Sequence, residues 1–260
     1  MTRALVVSVA LCACGGGTSG NSRGDGGGSN SGGDGGSPIT GPAPTAGGCS
    51  AYTGAVFCVD FDGSSDDISP YGWSAVTGDT SFVTMGVATS DGNRSFTIRE
   101  TGTDLGDGTS QLYDLGSGSA VTLDLDLVST IASATYTQVA FLALAADNNT
   151  LAQLELEVEA DGTLELALFE VHSSPPAVPT TGKLVIGQWA TVALHATFDQ
   201  NQIAFSADAG AIGATPSPIL AETTLALSFT PTQVAAQACL FPAAADPLAF
   251  EFDDVALTMP

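Results

Sequence analysis

From Cys49 onward the chain is a succession of short alternating or wholly apolar runs cut by turn residues, and no segment has a helical period. That pattern predicts an all-β fold. Candidate strands are 55–62, 81–88, 95–100, 111–115, 120–128, 136–146, 151–160, 163–171, 184–198, 202–208, 223–229, 235–241 and 249–258. Between them stand turn signals such as Asp91-Gly92, Asp107-Gly108, Asp147-Asn148-Asn149 and Asp199-Gln200-Asn201. The clearest hairpin is Asp161-Gly162, set between the alternating runs Leu154 to Glu159 and Leu164 to Leu168. Roughly a dozen strands are more than an open sheet usually carries, so a two-layer antiparallel β-sandwich is expected.

The first and last runs look built to pair. Phe57, Val59 and Phe61 alternate with Val56, Cys58, Asp60 and Asp62, while Phe250, Phe252 and Asp254 alternate with Glu251, Asp253 and Val255. Pairing them would close the sandwich and gather four aspartates, Asp60, Asp62, Asp253 and Asp254, at one end of the domain. Adjacent carboxylates repel, and a hard cation relieves that, so this quartet is one candidate calcium site. Asp104 and Asp107, in a Gly-rich stretch, form a second. A plain solvated acidic edge is the alternative for both.

The net charge is −23, and only Asp25 and Asp34 of the acids precede residue 49. Past that point the bases are Arg94, Arg99 and Lys183. Binding a phosphate backbone requires basic side chains to displace counterions, so nucleic acid is excluded as a partner. Neutral carbohydrate, divalent cations and envelope proteins remain compatible.

The start of the chain reads differently. Arg3 and the apolar run Ala4 to Leu11 are too short to span a bilayer and have the form of a secretory signal. Leu11-Cys12-Ala13-Cys14-Gly15 follows directly and resembles the bacterial lipobox. The resemblance implies a signal peptide over 1–13, lipidation of Cys14, and an outer-membrane or cell-surface address, with simple secretion as the alternative. Residues 14–48 are dominated by Gly, Ser, Asn and Thr, with Pro38, Pro42 and Pro44 towards the end, and cannot form a core. A Gly/Ser coil of that length spans roughly 30–35 Å and would serve as a tether. The folded domain is expected over 49–260.

Within the domain, Gly187-Gln188-Trp189 opens a run continuing through Val192, Leu194 and Phe198, and a polar turn leads to Ile203, Phe205 and Asp208-Ala209-Gly210. With the two terminal strands, this resembles concanavalin A-like lectin/glucanase domains, including the laminin G type. The resemblance covers about 50–260 and implies a jelly roll, with carbohydrate as the associated ligand class and calcium as a frequent companion. Trp189 reads as core. Trp73, beside Tyr71, admits two roles, packing or a stacking platform for a sugar.

Glucanases of this fold carry alternating carboxylates in a Glu-x-Asp-x-Glu pattern. The nearest match is Glu155-Leu156-Glu157-Val158-Glu159, with Glu in place of the central Asp. Three glutamates opposite Leu154, Leu156 and Val158 also describe a solvated outer face. No catalytic residue is assigned, and a non-catalytic binding or adhesion module is expected, with a structural envelope lipoprotein and a glycoside hydrolase as alternatives. His172 and His195 read as structural. After Cys14, the cysteines are Cys49, Cys58 and Cys239. Pairing of Cys49 with Cys58 is favoured in an oxidising envelope, and Cys58 with Cys239 is the alternative.

Overall fold

A computed structural model describes residues 43–44, 48–64, 74–77, 83–90, 93–100, 106–109, 113–115, 120–131, 137–146, 149–159, 161–170, 178–242 and 248–259. After a 3-10 helix at Gly48–Ala51, the strands are β1 (Ala55–Val59), β2 (Ser74–Thr77), β3 (Val83–Ser90), β4 (Asn93–Glu100), β5 (Gly106–Thr109), β6 (Tyr113–Asp114), β7 (Ala120–Ile131) and β8 (Thr137–Ala146). They continue as β9 (Asn149–Val158), β10 (Thr163–Glu170), β11 (Val178–Lys183), β12 (Ala190–Asp199), β13 (Gln202–Ala211), β14 (Ser217–Ala226), β15 (Gln233–Pro242) and β16 (Leu248–Thr258).

Two antiparallel sheets result. Sheet A runs β14-β13-β12-β7-β16-β4-β3, with β1 also paired to β16, and sheet B runs β11-β10-β9-β8-β15-β5-β2, with β6 on β15. Each strand turns one set of alternate residues inward. Leu123, Leu125 and Leu127 of β7, Val192 and Leu194 of β12 and Phe250 and Phe252 of β16 meet Leu142, Leu144, Leu154, Leu156, Leu164 and Leu166 of sheet B. These side chains bring no polar atoms into the core, so apolar burial holds the layers together, at about 25 cal/mol per Å² removed from water. Prolines sit where their missing N–H does least harm: Pro179 in β11 and Pro218 in β14, both edge strands.

The expected terminal pairing forms, with Ala55 opposite Thr258 and Val59 opposite Val255. On that same edge β16 pairs first with β4, from Leu248 opposite Glu100 to Phe252 opposite Phe96, and then with β1. Where the partner changes, an aromatic row bridges the gap: Phe61 stacks on Phe96 at 5.7 Å, Phe96 faces Phe252 at 6.4 Å, and Phe252 stacks on Phe250 at 6.3 Å. Phe61 has φ 52°, a conformation a bulky residue rarely adopts. Its ring is fully buried and its carbonyl accepts a hydrogen bond from Arg94 Nε at 3.4 Å, so packing holds it there.

One expectation fails at the same place. Simple alternation puts Asp254 with Phe252 and Val255 with Asp253, but a register shift against β7 between Asp253 and Ala256 inserts a bulge. Val255 thereby reaches the core and Asp254, at φ 47°, leaves it. Other boundaries also move. The run 184–198 is not one strand, since β11 ends at Lys183 and a turn precedes β12. Asp208-Ala209-Gly210 lies inside β13 rather than closing it.

The Asp161-Gly162 hairpin joins β9 to β10 as expected, with Gly162 at φ 85°. Asp161 Oδ1 accepts the Thr163 N–H at 2.9 Å, and Lys183 Nζ pairs with the other oxygen at 2.5 Å. A Cβ on Gly162 would fall on the Leu184 carbonyl, so the turn is closed to any other residue on two grounds. Trp189 is 3% exposed, as a core indole should be. Cys49 and Cys58 form a disulfide, which removes the Cys58–Cys239 alternative.

Candidate functional site

The face of sheet B turned away from the core has a recognisable centre. Leu154, Leu156 and Val158 point inward, so Gln153, Glu155 and Glu157 of β9 point out. Register places Gln153 between Ala143 and the position of Phe169, Glu155 between the position of Phe141 and Ala167, and Glu157 opposite Glu165. Ala143 and Ala235 are neighbours across β8 and β15. Ala143, Ala167 and Ala235 are all buried on this face, which also carries the positions of Phe141 and Phe169.

Glu155 is not the solvated residue that its alternation with leucines suggests. It is 3% exposed. Burial pushes its carboxyl up to about 8, and the neighbouring Glu157 carboxylate adds to the shift. At neutral pH Glu155 therefore carries a proton, so its O–H is a hydrogen-bond donor in a dry place, beside a Glu157 that is partly exposed. Glu159 is separated from this pair, because β9 ends at Val158. Its N–H donates to Thr163 O and its carbonyl accepts from Gly162 N, both at 2.8 Å, which commits it to the hairpin turn. The strand itself thus holds two of the three glutamates, Glu155 and Glu157, with Glu159 at its end.

A second polar cluster lies on the outer face of sheet A. Ahead of the bulge in β16 the register puts Asp253 opposite Asp126 of β7, and beyond it Ala256 opposite Asp124. Asp253 Oδ1 accepts the Asp254 N–H at 2.9 Å. The disulfide carries the 3-10 helix over this face, because Cys58 stands opposite Ala256. The helix approaches so closely that a Cβ on Gly48 would coincide with the Asp254 carboxylate. Asp126, Asp253 and Asp254 are buried as a result. Burial, opposed by a hydrogen bond from Thr191 and reinforced by Asp124, pushes Asp126 up to about 6. Burial, with Asp126, Asp60 and Asp62, pushes Asp254 up to about 7. Burial and the same aspartates, Asp124 first, raise the Tyr52 hydroxyl far above its ordinary value.

Of the expected cation quartet, the structure brings Asp253 and Asp254 together under the helix, while Asp62 is exposed and its N–H leans on Asp60 Oδ1 at 3.4 Å. Asp126 was not visible as a member from sequence, since only the β7–β16 register recruits it. Among the described residues no three His, Cys, Asp or Glu side chains converge as a ready metal cage. Asp107 lies in β5 opposite Cys239 and Val76. Asp104, Tyr71, Trp73, His172 and Cys14 lie outside the described residues. His195 sits between two partners, Thr122 Oγ1 at Nδ1 and Asp208 Oδ2 at Nε2, each at 3.1 Å.

The two-sheet topology matches solved structures along nearly their whole length. The cellulose-induced protein Cip1 superposes with a TM-score of 0.53 at 13% identity, covering 78% of this chain and 96% of that one. A Bacteroides ovatus GH16 enzyme bound to a mixed-linkage glucan product gives 0.53 at 10% identity, covering 79% and 100%. Lectin II from Ulex europaeus gives 0.50 at 10% identity, covering 79% and 99%. The fold is the concanavalin A-like jelly roll. No protein-family model matches the chain, and no curated protein is similar to it in sequence. In this jelly roll, sheet B supplies the face with Glu155, and sheet A supplies the face capped by the disulfide-held helix.

Proposed function

We propose that this chain is a surface-anchored, non-catalytic module that holds a neutral carbohydrate on the sheet B face centred on Glu155. The observation that carries the reading is the outer face of β9, where partly exposed Gln153 and Glu157 flank the buried Glu155 beside Ala143, Ala167 and Ala235. A neutral sugar presents hydroxyls that both donate and accept. The partly exposed Gln153 amide can donate to one and accept from another, and the Glu157 carboxylate can accept from a third. The surplus of negative charge disfavours anionic polysaccharides. A lectin of this fold has been solved with galactose and the GH16 enzyme with a glucan product, which supports carbohydrate as the ligand class.

Binding of soluble glucans and galactans to the full chain, followed by calorimetry, tests this. Gln153→Leu keeps much of the bulk and loses both donor and acceptor, and should weaken binding about tenfold, the cost of one hydrogen bond in a dry site. Absence of binding across a broad panel of neutral glycans overturns the reading and favours an envelope-protein partner.

One observation favours a second reading, glycoside hydrolysis. Glu155 is held protonated beside Glu157, the division of roles that acid and base carboxyls require. Release of reducing sugar by the wild type, abolished in Glu155→Gln, would replace the binding reading with this one.

The anchoring part of the proposal rests on the lipobox-like Leu11-Cys12-Ala13-Cys14 and the Gly/Ser stretch after it. Cys14→Ser is expected to move the protein from the membrane fraction to the soluble fraction. Retention of the variant in the membrane fraction would rule the lipid anchor out.

A further inference from the structure

Away from the capped aspartates, the outer face of sheet A carries a hydrogen-bonded row built from three adjacent strands. Register sets Thr122 of β7 opposite His195 of β12, and Asp208 of β13 opposite Ala193, two residues along β12 from the ring. All three side chains point outward, because their neighbours Leu123, Leu194 and Ala207 belong to the core. Thr122 Oγ1 lies 3.1 Å from His195 Nδ1, and Asp208 Oδ2 lies 3.1 Å from Nε2. A carboxylate only accepts, so the proton of the neutral ring sits on Nε2. That leaves Nδ1 as a lone pair, and the Thr122 hydroxyl donates to it. The carboxyl thus locks the tautomer in which the ring's basic nitrogen faces a hydroxyl. The His195 and Asp208 side chains are 39% and 33% exposed and Thr122 is half-buried, so a small reagent can reach the row. Ala193 stands between Asp124 and Asp208, which leaves only a methyl group at the position beside the ring.

We infer that Thr122 is a nucleophilic hydroxyl, served by His195 as general base with Asp208 as the positioning residue, and that it accepts an acyl group from an activated ester. In the step, the Thr122 O–H proton passes to His195 Nδ1 while the oxygen forms a bond to the acyl carbon. The bond from that carbon to the leaving oxygen then breaks, and the leaving group takes the proton from Nδ1 and departs as an alcohol. Asp208, and the Asp124 carboxyl that interacts with the ring across Ala193, favour the imidazolium formed in between. The backbone of Thr122 is committed to ladders with β12 and β16 on either side, whereas an oxyanion hole that would speed a second, hydrolytic step needs free main-chain N–H groups. Thr122 is therefore a site of stoichiometric modification rather than of turnover. The inference rests on sheet A alone and stands or falls independently of the carbohydrate reading on sheet B.

The test treats the full chain in detergent with p-nitrophenyl acetate and maps acetyl groups by peptide mass spectrometry. Lys183, the only lysine of the sequence and half-exposed, reports ordinary amine labelling, and Thr224, exposed on the edge strand β14, reports a hydroxyl without an imidazole beside it. Acetylation of Thr122 at least about tenfold above Thr224 is expected, since a positioned general base contributes that much or more. His195→Gln removes the base, and Asp208→Asn offers Nε2 an amide donor that moves the ring proton to Nδ1, so each should bring Thr122 down to the level of Thr224 while Lys183 labels as before. Thr122→Ser should keep the label. Melting temperatures confirm that each variant is folded, and if one is not, the other decides. Thr122 labelled no more than Thr224 in the wild type overturns the inference, as does labelling that survives both substitutions. A stable acetyl group on His195 in place of Thr122 overturns it as well, by making the ring itself the acceptor.

Discussion

Phe96→Ala is expected to lower the unfolding free energy by about 3–5 kcal/mol and the melting temperature by roughly 10 °C. Phe96 is fully buried and sits in the middle of the row from Phe61 to Phe250. Its removal leaves a cavity where β16 exchanges one partner strand for another, and so where hydrogen bonding is least able to hold the two strands in place. Phe61 would lose the ring that holds its unfavourable φ, which places this substitution at the upper end of the usual range for Phe to Ala. Chemical denaturation followed by tryptophan fluorescence measures the effect, because Trp189 lies in the same core. Thr197→Ala, on an exposed position of β12, is the control and should shift stability by less than about 0.5 kcal/mol. A Phe96 variant within that margin would mean that the row is incidental to stability.

The second large effect is on pH. Asp126 at about 6, Asp254 at about 7 and Glu155 at about 8 all lie above their ordinary values of 3.8, 3.8 and 4.5. Asp124 is raised as well, again by burial, with His195 opposing. The folded state therefore holds protons that the unfolded chain has released. Stability from these groups is fully present below about pH 4 and is lost as the pH climbs through 6 to 8. The sign is opposite to that of a protein held by ion-paired carboxylates. Asp161, lowered mainly by its hydrogen bond from Lys183, acts the other way, but it is exposed and carries little weight. Without divalent cations, the domain should be less stable at about pH 8 than at about pH 5 by roughly 2–4 kcal/mol. Asp254→Asn and Glu155→Gln should each flatten the profile. Urea midpoints measured across this interval in EDTA decide the matter, and a midpoint that rises with pH would contradict the assignment.

Much of the fold was legible because sandwich strands announce themselves by alternation. Phe57, Val59, Phe250 and Phe252 gave the terminal pairing, Asp161-Gly162 gave the hairpin, and Trp189 was placed in the core. Edge strands were harder. β2 and β11 lie at the margins of sheet B and β5 beside β2, where a Gly-, Thr- and Pro-containing sequence such as Val178–Lys183 is tolerated and carries little pattern. The two polar faces were only half legible. Alternation says that Glu155 points away from the leucines, but cannot say that the face around it is buried. Nor can it detect a bulge between two identical residues. Asp253 and Asp254 occupy either phase equally well, and only the hydrogen-bond register with β7 shows that Asp126 belongs with them.

The order of strands along the chain also bears on how the molecule is made. β15 is the strand that joins β8 to β5 and β6 in sheet B, and β16 is the strand that joins β7 to β4 and β1 in sheet A. These keystones are the last two described strands in chain order. Without them each layer is in three pieces, β14-β13-β12-β7, β4-β3 and β1 in sheet A and β11-β10-β9-β8, β5-β2 and β6 in sheet B, with apolar faces and free edges exposed. Early closure of either layer is thereby disfavoured until β15 and β16 are available. Closure then requires pairing across nearly the full length of the domain, which predicts slow folding.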